Sequence, residues 1–194
     1  MFHLKLEIMK TLIYLFAVVM LLFAGCAKDE MFDQNSNNPE LKKAKVPIPM
    51  KADFCAIPDM NVPPVSTIIP GQGPMYLPGG MFVTGTCTHM GRVNSEKSYC
   101  KVDELTFIMD EGKPYLLETG TGIMTAANGD SYKITWWVKT SLPDMNYVGE
   151  VEMFDGTGKF EGCSGTVDML GAVDLVNQTN CWTGTGWMEF ESDK

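Results

Sequence analysis

Histidine is scarce in this chain: two in all, His3 near the N-terminus and His89 far downstream. With so few histidines and no Cys-x-x-Cys pair, a structural zinc site lacks ligands of the right kind and spacing. There is no Gly-x-Ser-x-Gly elbow, and Gly162-Cys163-Ser164-Gly165 is not that motif, so no serine nucleophile is signalled. Basic residues are also few, 15 against 24 acidic, for a formal charge of −9. Such a balance argues against nucleic acid, whose affinity comes largely from Lys and Arg neutralising phosphates, and against flat docking on anionic lipid. No convincing amphipathic helix and no internal repeat appears. Asp155, Asp168 and Asp174 fit no calcium-loop spacing, and no cofactor is expected.

What is present begins with a leader. Lys5 and Lys10 against Glu7 make a weakly positive start, and Thr11 to Ala24 carries no charge. A positive region, an apolar core and small exit residues are the parts of a secretory signal over residues 1–25. The apolar run is short for a permanent span of a ~30 Å hydrocarbon core. Phe23-Ala24-Gly25-Cys26 resembles a bacterial lipobox. That resemblance implies cleavage before Cys26 and acylation at this residue, and several acyl chains together anchor a protein stably. A plain signal peptide with Cys26 in a disulfide is the alternative. Ala27-Lys28-Asp29-Glu30 is similar to the signal that follows the acylated cysteine in some surface-displayed Gram-negative lipoproteins. The expectation is an outer-membrane lipoprotein, surface-exposed rather than periplasm-facing.

Residues 26–51 are polar and aperiodic and read as a flexible tether. Residues 52–79 are rich in proline and read as extended coil laid over the domain, with a short edge strand near Ile68. Residues 80–194 form the domain. Leu105, Phe107 and Met109 alternate with Thr106 and Ile108, and Asp110-Glu111-Gly112-Lys113 turns the chain. Asn128-Gly129 is the strongest hairpin signal, because Asn-Gly accepts the positive-φ pair of a type I′ turn. Tyr132, Ile134, Trp136 and Val138 share a core face by strict alternation. Seven or eight strands at turn spacings of roughly ten residues predict an all-β chain folded as an antiparallel barrel or sandwich, and the expectation taken forward is a single antiparallel β-barrel of about eight strands. Closure leaves no unpaired edge.

Three segments carry a resemblance. They are Gly85-Thr86-Cys87-Thr88-His89-Met90-Gly91, Thr125-Ala126-Ala127-Asn128-Gly129-Asp130, and Gly156-Thr157-Gly158-Lys159-Phe160-Glu161-Gly162-Cys163-Ser164-Gly165. Together they resemble a group of bacterial exported proteins with a calycin-like barrel similar to allene oxide cyclase. The resemblance spans about residues 80 to 190 and implies a fold, not an activity.

Five cysteines remain after Cys26, and an exported protein favours disulfides. Cys87 with Cys100 and Cys163 with Cys181 are the candidate pairs, with Cys55 left over; spacing alone does not fix the connectivity. His89 is a candidate general base, or a turn residue. Glu118 shares a strand face with Leu116, Gly120, Gly122 and Met124. If that face lines the lumen, its carboxyl sits among apolar groups with a raised pKa, suited to acid–base work or ligand anchoring; if it faces solvent, Glu118 is an ordinary surface charge. Trp136 is placed on the core face, and Trp137, between Lys133 and Lys139, is either a stacking or contact residue or covered by the N-terminal coil.

The function expected is binding of a small apolar or amphipathic ligand by Glu118, Trp136 and Trp137. A module with a packed barrel acting through surface loops is the second reading. An isomerase or cyclase using Glu118 and His89 is a third, resting on fold analogy alone.

Overall fold

The structure is a computed structural model and describes residues 46–177 and 179–189. The leader, Cys26 and the tether up to residue 45 lie outside the described residues. Eleven strands follow one another: β1 (Ile48–Pro58), β2 (Val65–Ile69), β3 (Gly73–Leu77), β4 (Gly80–Cys87), β5 (Gly91–Arg92), β6 (Tyr99–Asp110), β7 (Lys113–Thr125), β8 (Ser131–Ser141), β9 (Asn146–Phe154), β10 (Ser164–Asp174) and β11 (Thr179–Glu189). The chain is all-β, and eight of these strands close an antiparallel ring in the order β1-β11-β10-β9-β8-β7-β6-β4, sealed by β1 against β4. No α-helix occurs among the described residues.

The ring exists because every strand alternates. Tyr132, Ile134, Trp136 and Val138 of β8 all point inward and are buried, as their period of two requires. Tyr147, Val151 and Met153 of β9 and Val167, Met169 and Met188 of β10 and β11 complete the lining. At one end the 3-10 turn Gly158–Phe160 drives the Phe160 ring into the lumen, edge-on to Tyr132 at 5.2 Å between centroids. That end is a packed plug.

Two expectations need correction. The segment 52–79 is not coil over the domain, and the tether does not run to residue 51: residues Ile48–Pro58 form β1, which closes the ring. Proline is tolerated because it falls where β1 has one neighbour. Pro49 pairs with β11 alone and Pro58 with β4 alone, so at each the side without a neighbouring strand has no use for an N–H donor. The edge strand expected near Ile68 is β2, which forms a hairpin with β3 and folds against β6, where Thr67 Oγ1 accepts from the Phe107 amide at 3.2 Å.

The cysteine pairing is the second correction. Cys55 of β1 faces Cys181 of β11 in register and the two form the disulfide, with Cα atoms 4.0 Å apart. Cys87 and Cys100 cannot join. Cys100 registers with Met81, six positions along β4 from Cys87, or roughly 20 Å at ~3.4 Å per residue. Cys163 is buried beside Ser164, which registers with Glu189, so it lies far along β11 from Cys181.

The turns also redistribute. The β7–β8 hairpin forms at Asn128-Gly129, but only Gly129 is left-handed (φ 97°). The consecutive positive-φ pair of a two-residue hairpin sits instead at Glu111 (φ 48°) and Gly112 (φ 76°), between β6 and β7.

Candidate functional site

The end of the barrel opposite the Phe160 plug is where β1 leaves for β2 and where β10 turns into β11. Met60, Tyr76, Leu77 and Pro78 from the first connection, and Val173, Leu175 and Thr179 from the second, frame a cavity of about 270 Å³. That is at the small end of ligand pockets, which run from about 300 Å³ upward. Met60, Tyr76 and Leu175 expose their apolar side chains at this rim. A smaller recess of about 40 Å³ lies within the barrel, lined among others by Cys100, Trp136, Tyr147, Met169 and Trp182. Ala56, Met81, Glu118 and Asn180 line both spaces, so they form the floor of the mouth and the entrance to the recess.

Glu118 is the chemically distinctive group. β7 places it inward with Leu116, Gly120 and Met124, and only 8% of it is exposed. Burial pushes its carboxyl up to about 7, against a hydrogen bond from Thr140 Oγ1 to its Oε1 at 3.3 Å that pulls the other way. Of the two readings left open by the sequence, the lumen-facing one is what the fold adopts. Tyr147 donates its hydroxyl to Asn180 Oδ1, and burial, with the Glu118 charge second, raises its phenol.

Trp136 reaches this floor from β8. Its indole lies over Gly120, the residue directly opposite on β7; a Cβ there would stand 2.4 Å from Cζ2 of the ring and 2.1 Å from the Lys101 carbonyl oxygen. Trp136 is 8% exposed, and its Nε1 finds no acceptor among the described residues. Glu118 and Trp136 are therefore brought together at one cavity.

The other sequence candidates are not. Trp137 projects from the outside of the barrel, 41% exposed, across from Thr119 and Glu150. Its flanking lysines are engaged, Lys133 with Asp155 and Lys139 with Asp110. His89 sits in the turn after β4 at φ 68°, exposed, its ring Nε2 3.2 Å from the Pro49 carbonyl at the plugged end. It cannot act with Glu118 at the mouth. Burial raises the Cys87 thiol and takes Cys100 to about 12, which leaves both as poor nucleophiles. Among the described residues, no cluster of three His, Cys, Asp or Glu side chains is placed to hold a metal.

Thr140, Tyr147 and Asn180 are site residues that the sequence reading did not single out. Their signal was the same alternation: Thr140 continues the inward set of β8, and Asn180 lies two residues before the inward Trp182. Met60 and Tyr76 carried no such signal, because they belong to a connection with little periodicity.

No family model, no curated protein and no solved structure matches this chain.

Proposed function

We propose that this protein is a lipid-anchored envelope protein that binds a small apolar or amphipathic molecule in the mouth of a calycin-like barrel. The observation that carries the reading is the 270 Å³ mouth with a buried carboxyl in its floor. A barrel meant only as a scaffold has no use for a carboxyl among Met81, Trp136 and Val138, because burying it disfavours its charged form. The leader, the lipobox-like Phe23–Cys26 and the acidic residues after it support anchoring at the outer membrane and display on the surface. Among the described residues no helix is long and apolar enough to cross a membrane.

Two measurements test the proposal. Native mass spectrometry of protein purified from its own host is expected to show a bound species of low mass, and its repeated absence counts against ligand binding. Radiolabelled palmitate is expected to enter the wild-type chain and not Cys26→Ser; equal labelling of both removes the anchor.

A further inference from the structure

The recess beneath the mouth holds two polar groups with complementary needs. The Trp136 Nε1–H is buried and, among the described residues, has no acceptor. The Glu118 carboxyl is touched by the Thr140 hydroxyl at Oε1, so it has accepting capacity left. Tyr147 commits its proton to Asn180. Both residues line the same recess of about 40 Å³, and a single group satisfying both would accept from one and donate to the other.

We propose that the molecule held in the mouth is an apolar alcohol. Its single hydroxyl seats in the recess, the oxygen accepting from Trp136 Nε1–H and the hydrogen donated to Glu118. Its hydrocarbon body fills the space framed by Met60, Tyr76 and Leu175. The assignment rests on the mouth-binding reading above and adds the headgroup. A hydroxyl is the smallest group that carries both a donor and acceptor lone pairs on one atom. An ammonium only donates and leaves the indole N–H facing another donor. A carboxylate only accepts, and it brings a second negative charge beside Glu118. An ether satisfies Trp136 and leaves Glu118 without its proton donor. Burial raises the Glu118 carboxyl to about 7, so above neutral pH it is ionised and needs a donor, which the hydroxyl supplies. The mouth sets the size: about 270 Å³ is roughly twice an apolar cavity that admits benzene, which suits a body of about ten carbons.

The test is titration calorimetry of the purified full chain at pH 8.5, where Glu118 is ionised, with four ten-carbon probes: 1-decanol, decyl methyl ether, decylamine and decanoate. Decanol is expected to bind at least tenfold more tightly than each of the others. Trp136→Phe, with its melting curve checked, is expected to weaken decanol about tenfold and to narrow its lead over decylamine, which loses no hydrogen bond and no longer faces the indole N–H. If that variant does not fold, the headgroup series on the wild type decides alone. Decylamine or decanoate binding as tightly as decanol overturns the alcohol assignment and leaves mouth binding standing. Failure of all four probes to bind overturns mouth binding itself.

Discussion

Glu118 links folding to pH over the neutral range. Its folded pKa, about 7, lies above the ordinary 4.5, so the folded state holds a proton that the unfolded chain has already released. Below about 4.5 both states are protonated and nothing is lost. As pH rises from there to about 7 stability falls, and above it the full penalty of about 3 kcal/mol is in place, at about 1.4 kcal/mol per pK unit. Glu118→Gln removes the ionisation. Urea unfolding is expected to find the variant close to wild type at pH 4.5 and more stable by about 3 kcal/mol at pH 8. A difference that stays constant with pH means that the carboxyl is not buried as described. At this scale the sequence supplied the parity that groups Glu118 with Leu116 and Met124. Which face of β7 looks inward depended on strands that β7 does not contain.

Among the elements, the β6–β7 hairpin carries a removable strain. Glu111 takes φ 48° at the first position of a two-residue turn, where a side chain with a Cβ is disfavoured by roughly 1–2 kcal/mol and asparagine is better tolerated. Glu111→Asn is expected to stabilise the protein by about 0.5–1 kcal/mol in chemical denaturation. Asn-Gly looked like the type I′ turn at 128–129 because the local signal is strong there. The longer 126–130 connection instead hydrogen-bonds Ala126 to Asp130 and leaves Asn128 out of the left-handed region. Strand β1 shows the opposite failure. Met50, Ala52, Phe54 and Ala56 alternate cleanly with Lys51, Asp53, Cys55 and Ile57, and the first set is buried. The surrounding prolines masked that pattern, since a proline's effect depends on which side of the strand has a neighbour.

For the whole molecule, the Cys55–Cys181 bridge ties the first barrel strand to the last across a separation of 126 residues. In the chain-entropy view a loop of this length restricts the unfolded state by about 5 kcal/mol, and removing native disulfides costs about 2–5 kcal/mol. The double substitution Cys55→Ser with Cys181→Ser is expected to lower stability within that range in guanidinium titrations. A loss below about 1 kcal/mol indicates that ladder hydrogen bonds to β11 and β4 already hold β1 without the bridge. Because β1 also supplies Ala56 and Pro58 to the mouth, the same variant is expected to weaken whatever the mouth binds.

The amino-acid order alone determined that this chain forms strands, where most of them lie from residue 80 onward, and that neighbours in sequence pair antiparallel in an all-β fold. Alternation and turn chemistry are local, and local rules need no knowledge of the partner strand. Tertiary structure alone decided that β1 completes the ring, that Cys55 meets Cys181, that Glu118 and Trp136 share a cavity while Trp137 and His89 stand apart, and that one end is plugged and the other hollow. Each of these depends on the register between strands far apart in sequence and on which strand closes the ring, and those are set by packing the whole interior at once.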